Sequence, residues 1–271
     1  MNTGMARMLL IAATVLGGIN ACTSLPGMRS EIIDGAQQEY SVRGNGRPVV
    51  VLEAGLGDGM DSFASVFEEI GSFATTFAYN RAGYGRSARR PEPRDGARVV
   101  SELRAALAHA GLQPPYVLVG HSLGGTFMEL FARQHPDEVA GLVLIESRAA
   151  SMTRRCREAH LLACDPPRLL IAALPGAAAA EYAASDATFK QVEDAGPMPA
   201  VPMAVLTSTR PRLLEGPSWS ELWMKTQQEL AAQSPLGRQT TTWVSGHYIQ
   251  KTEPQLVSRA IREVVAAASK P

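Results

Sequence analysis

Five short, continuously apolar runs alternate with longer helical patterns along this chain, and that alternation narrows the fold more than any other feature. The runs are Val49 to Leu52, Thr76 to Tyr79, Val117 to Val119, Leu142 to Ile145 and Val201 to Thr207, and a Thr-rich strand, Gln239 to Val244, follows them. A strand that is apolar at every position has to be covered on both faces, which is the condition of a parallel sheet flanked by helices. Helical patterns lie between the runs at Asp61 to Gly71, Gly96 to Ala110, Leu123 to His135, Ser218 to Gln233 and Glu253 to Ala268. In the second of these, Val99, Leu103, Ala106, Leu107 and Ala110 have the i, i+3/i+4 spacing of a helix lying on a sheet. The β-α-β-α order predicts an α/β fold with a doubly wound, mostly parallel sheet.

The pattern breaks between residues 148 and 199, where Ala-rich runs, Pro166-Pro167, Pro197 and Pro199 replace any clear parallel strand. An unstructured loop of that length is improbable inside a domain, so the segment reads as a helical lid inserted into a core of residues 39–147 and 200–269. Balanced charge, 26 Lys+Arg against 26 Asp+Glu, supplies no general attraction for a polyanion and argues against nucleic acid as a partner.

Residues 1–21 read as a signal peptide, because the uncharged run Met8 to Ile19 is too short to cross a bilayer core of ~30 Å as a helix. The stretch Ile19-Asn20-Ala21-Cys22 resembles a bacterial lipobox, with Asn20 as a departure from it. Residues 22–38 would then be a leader, and Cys22 a lipidated N-terminus that anchors an exported protein in the cell envelope; a soluble periplasmic or secreted protein is the alternative. A buried N-terminal helix of a cytosolic protein is the bland reading. Apart from that anchor, no contact with a membrane is expected. Cys156 and Cys164 remain as an even pair, which an oxidising compartment would join in a local disulfide and a reducing one would leave as free thiols.

Gly120-His121-Ser122-Leu123-Gly124 stands where the strand pattern YVLVG meets the helical pattern LGGTFMELFARQH. Small residues in a strand-turn-helix context let a strained turn hold a serine at the carboxyl edge of a sheet. With Glu53-Ala54-Gly55-Leu56-Gly57 after the first run, Asn80-Arg81-Ala82-Gly83-Tyr84-Gly85-Arg86-Ser87 after the second and Ser245-Gly246-His247 after the last, the chain from Glu39 to Ala268 resembles the α/β-hydrolase superfamily.

The resemblance implies a nucleophilic Ser122. A serine hydroxyl needs a base, and of the five histidines only His247 lies downstream of Ser122 on a loop between a strand and a helix, in the Ser, acid, His order of that fold. The acid usual after the strand PMAVLT is missing from Thr207 to Arg212. Glu146, at the tip of GLVLIE, is the leading candidate and Glu215 the second; a helix-capping carboxylate is the bland reading of Glu146. By the same resemblance the amides of Leu56 and Leu123 form the oxyanion hole. Gly55, Asp58, Phe63 and Tyr84 are candidate pocket residues, although Asp58, Phe63 and Tyr84 are each more often mere loop chemistry, and Gly55 also fits a flexible strand-exit loop. Trp219, Trp223 and Trp243 read as core or lid packing.

No phosphate-binding or dinucleotide-binding loop and no HExxH occurs, so no cofactor and no metal is expected. The reading that follows is an exported serine hydrolase of small, largely apolar carboxylic esters. Amidase, lactonase or acyltransferase chemistry on the same residues, or a lipid-anchored binding protein without turnover, are the alternatives.

Overall fold

The computed structural model describes residues 25–161, 164–165, 168–211 and 216–269. The signal segment, Cys22 and Glu215 lie outside them. Among the described residues eight strands form one sheet, in the order β1-β2-β4-β3-β5-β6-β7-β8. The strands are β1 (Met28–Ile33), β2 (Ala36–Arg43), β3 (Val49–Glu53), β4 (Thr76–Tyr79), β5 (Tyr116–His121), β6 (Val139–Ile145), β7 (Met203–Ser208) and β8 (Gly237–Thr242). Pairing from β4 through β3 and on to β8 is parallel, and only the β1 and β2 edge is antiparallel.

The continuous apolar runs become central strands for the reason the sequence suggests. In β3, Val49 and Val51 join the core on one face, Val50 and Leu52 the core on the other, and none is more than 3% exposed. The first face is covered by α2 (Gly96–His109), α3 (Leu123–Gln134) and α8 (Gly216–Ala231). The second is covered by α1 (Ala64–Gly71) and α10 (Pro254–Ala268), joined by Ile249 of the short α9 (Ile249–Thr252). Asp95 caps α2 by accepting the Arg98 N–H at 3.0 Å. The helix expected over Asp61 to Gly71 begins as a separate 3₁₀ turn, Met60–Phe63.

Two expectations are corrected here. Residues 22–38 are not a leader throughout, because the chain enters the sheet at Met28. β1 is an edge strand with only Ile33 buried, so it lacks the apolar run that marks the central strands. Its signal was Asp34-Gly35, whose φ values of 48° and 75° are those of a tight hairpin turn. Trp243 is not packing: it lies past the end of β8 and is 78% exposed.

Within residues 148–199 the structure forms α4 (Ala150–Glu158), α5 (Arg168–Ala172), α6 (Gly176–Ala183) and α7 (Ser185–Asp194). The segment is fastened to the core by polar contacts. Thr188 and Gln191 of α7 accept the N–H groups of Gly96 and Ala97 at the start of α2, at 2.9 and 3.0 Å. A Cys156–Cys164 disulfide, Cα to Cα 5.4 Å, joins the last turn of α4 to the chain that follows it. Closing a loop this short removes chain entropy worth about 2–3 kcal/mol. The Cys156→Ser/Cys164→Ser pair is therefore expected to unfold at a lower temperature than wild type and to be cut faster by protease between α4 and α6; unchanged melting and cleavage would show that the bridge does not hold this segment.

Candidate active site

The connection from β5 to α3 bends sharply at Ser122, with φ 53° and ψ −121°. Such a backbone is strained for a residue with a Cβ and persists only where its surroundings enforce it. The enforcement is close packing of main chain on main chain. A Cβ on Gly124 would lie 2.4 Å from the carbonyl oxygens of both Glu53 and Ala54, and one on Gly120 would lie 2.5 Å from Cα of Gly125. The first turn of α3 therefore rests directly on the end of β3. The Ser122 N–H donates to the Ile145 carbonyl at 3.0 Å, and its own carbonyl accepts from Gly125 and Arg148.

Register places the other groups. His121 pairs with Ile145, and Ile145 with Leu206, so Glu146 emerges beside Ser122 at the same level of the next strand. Glu146 is fully buried, with φ 45°. Its Oε1 accepts the Ser208 N–H at 2.6 Å and the Trp223 indole N–H at 3.3 Å, and Oε2 lies 3.5 Å from Nδ1 of His247. It does not cap the helix that follows: α4 starts after Ala149 without a side-chain cap. His121 is wholly buried, and its Nε2 donates to the main-chain carbonyl of His247 at 2.9 Å. The two rings are 4.6 Å apart. The residue next to the serine thus holds the backbone of the candidate base.

The loop after β3 closes the group. A Cβ on Gly55 would stand 3.2 Å from Cβ of Ser122 and 2.9 Å from Nδ1 of His121, so only glycine allows this approach. Among the described residues the Leu56 N–H has no acceptor, and the Leu123 N–H, the first of α3, has none within its helix. The Ser122 hydroxyl makes no hydrogen bond among the described residues, and 3.5 Å is long for the Glu146 to His247 contact. Among these residues no group of three His, Cys, Asp or Glu side chains is arranged to hold a metal.

Two pocket candidates are placed elsewhere. Phe63 is completely buried beneath the sheet with Met60, Phe67 and Ile249, where an aromatic ring adds core area and offers no surface to a ligand. Tyr84 is 8% exposed, and its hydroxyl is engaged by Glu181 and by the Gly57 N–H. Asp58 does face the group, 3.9 Å from Nδ1 of His121. Not apparent in the sequence were Trp223 and Ser208, which hold Glu146, and Glu53, Arg81 and Glu181, which share a buried ionic cluster. Charges in otherwise apolar strand ends, such as Glu53 after VVVL, were the one signal for that cluster.

Comparison with known proteins agrees with this architecture. The family described as "alpha/beta hydrolase fold" matches residues 48–168. A thermophilic esterase from Thermogutta terrifontis superposes with a TM-score of 0.64 at 20% identity, over 90% of this chain and 99% of its own. The chain has the α/β-hydrolase fold. Among curated sequences it is similar to the uncharacterized protein YqjL of Bacillus subtilis, 31% identical over 104 residues, 38% of this chain and 41% of that protein. It is also similar to the "Putative carbamate hydrolase RutD" of Azorhizobium caulinodans, 29% identical over 140 residues, 50% of this chain and 52% of that one. The chain thus spans about half the length of the curated relatives it matches, or less.

The electrostatics beside His121 and His247 centre on Asp58. Burial raises its pKa above the usual 3.8, against the opposing pull of Lys251, a Tyr248 hydrogen bond, His247 and Arg81. The Tyr248 hydroxyl is in turn pushed up to about 12 by burial and by the Asp58 charge. A carboxyl whose pKa is raised by folding binds its proton more tightly in the folded state. It therefore favours the fold below 3.8, and that contribution is lost as pH rises through the folded-state value. Asp58→Asn is expected to melt higher than wild type at pH 8, with the gain shrinking toward pH 4; lower melting at pH 8 would show that the ionised carboxylate is net stabilising.

Proposed function

We propose that this protein is a serine hydrolase of small carboxylic esters, with Ser122 as nucleophile, His247 as base and Glu146 as the acid that orients the base. The observation that carries the reading is a histidine whose Nδ1 faces a fully buried carboxylate and whose main-chain carbonyl is held by His121, the neighbour of a serine on a strained turn at the carboxyl end of one parallel sheet. His247 takes the Ser122 proton as Oγ attacks the ester carbonyl. Glu146 stabilises the imidazolium formed, and the imidazolium then protonates the leaving alkoxide. The N–H groups of Leu56 and Leu123 receive the oxyanion, and water hydrolyses the acyl-enzyme by the reverse relay. The same residues can act on amides and carbamates, a second reading favoured by the likeness to RutD.

Export belongs to the same proposal. The disulfide suits an oxidising compartment, and the short apolar N-terminal run with Cys22 suits a secreted or lipid-anchored envelope protein.

Wild type is expected to be labelled by a fluorophosphonate and to hydrolyse p-nitrophenyl acetate, and both should vanish in Ser122→Ala. His247→Ala should lose several orders of magnitude in kcat, with Ser122→Ala/His247→Ala little worse, because the residues act as a unit. Glu146→Gln should lower kcat by about a hundredfold or more. Independent, multiplicative losses would count against the triad, and faster turnover of p-nitroanilides or carbamates than of esters would favour the second reading.

A further inference from the structure

A buried ionic hub stands directly behind the loop that carries Leu56. Arg81, 3% exposed, uses all five of its N–H groups on main-chain or carboxylate oxygens. Nε and one hydrogen of Nη2 meet Oε1 and Oε2 of Glu181, at 2.7 and 2.9 Å. Nη1 meets Glu53 Oε1 and the Ala54 carbonyl, both at 2.7 Å, and Nη2 reaches the Gly55 carbonyl at 2.8 Å. Glu181 belongs to α6 of the lid, a hundred residues along the chain. It also accepts the Tyr84 hydroxyl at 2.8 Å, and the Tyr84 oxygen accepts the Gly57 N–H at 3.2 Å.

The Gly55 carbonyl and the Leu56 N–H are opposite ends of one planar peptide group. Whatever grips the oxygen fixes the direction of the hydrogen. The following peptide, which ends in the Gly57 N–H, is held by Tyr84. Leu56 is thus pinned on both sides, by two side chains that meet on the same lid carboxylate. A charge-assisted bond to the carbonyl also polarises the peptide and strengthens its N–H as a donor.

We propose that Arg81, Tyr84 and the lid residue Glu181 are positioning residues for the Leu56 oxyanion donor, so that seating of α6 assembles the oxyanion hole. The proposal rests on the serine-hydrolase reading above. Stability alone does not account for the hub, since a buried ion pair is often no better than well-packed apolar side chains of the same volume. An apolar substitute could fill the space but could not hold two consecutive main-chain carbonyls. Docking of α6 is close, as a hub of this kind requires: a Cβ on Gly83 would fall 2.8 Å from Cβ of Ala177.

Donors that act on the oxyanion act in the transition state, so their misplacement lowers kcat and leaves KM in place. The test uses the full chain, with p-nitrophenyl acetate as substrate and an aryl trifluoromethyl ketone as a tetrahedral-adduct inhibitor. Glu181→Gln removes the lid charge, and Tyr84→Phe removes one hydroxyl while keeping the ring that stacks on Arg81, so that one of the pair stays informative if the other folds poorly. Each is expected to lower kcat by about ten- to a hundredfold, with KM within about twofold of wild type and ketone affinity reduced in step with kcat/KM. Slow but complete fluorophosphonate labelling should persist in both. Unchanged kcat in folded protein, or a raised KM with kcat intact, would overturn the proposal and leave the hub as a brace or the lid as an entry gate. Failure of the hydrolase reading itself would show separately, in wild type that neither labels nor hydrolyses the ester.

Discussion

The contact on which the site depends is the seating of the first turn of α3 on the main chain at the end of β3. Gly124 has room for a hydrogen and nothing larger above the Glu53 and Ala54 carbonyls. That closeness forces the reversal at Ser122 to be tight. It also carries the loop of residues 55–58 against the serine, because the loop leaves β3 at the point of contact. Parallel register then brings Glu146 to the level of Ser122 without any further device. Position along the sheet is therefore set by hydrogen-bonded strands, and depth by glycines; the candidate site side chains need little freedom of their own.

The central strands and the elbow were legible because each leaves a local mark. A buried strand reads as an unbroken apolar run, and the elbow needs small residues at fixed offsets. Chain order alone singled out His247 as the candidate base, and the structure sets its Nδ1 3.5 Å from Glu146. The β1 and β2 edge escaped because an edge strand with one exposed face carries Arg29 and Glu31, and looks like a polar leader. Phe63 was misplaced because a position in the first helical turn after a glycine-rich loop says nothing of which side of the sheet the ring falls on. Two groups that hold Glu146 were invisible for a different reason: one is the backbone N–H of Ser208, and another an indole on a helix 77 residues away.

The Asn80 to Ser87 segment shows how one motif serves two ends of the structure. Asn80 and Arg86 bind the Glu39 carboxylate, with contacts of 2.7–2.8 Å, and Ser87 accepts the Glu39 N–H at 2.9 Å. These tie the loop to β2. Arg81, one residue past Asn80, turns the other way and serves the β3 loop. Side chains adjacent in sequence thus brace the antiparallel edge of the sheet and the neighbourhood of the serine. A change in either would be felt across the loop between them.

Trp223 stacks on Trp219 with ring centroids 5.1 Å apart and planes 11° from parallel, while its indole N–H points at the Glu146 carboxylate. An indole in that position is an optical gauge of the acid, since the charge and distance of a neighbouring carboxylate shift its emission. Trp243, open to solvent, is within reach of a dissolved quencher such as acrylamide, and the stacked pair is shielded from it. Quenching would therefore leave a signal weighted to α8 and the Glu146 carboxylate, giving the protein an intrinsic spectroscopic view of the buried side of the candidate site.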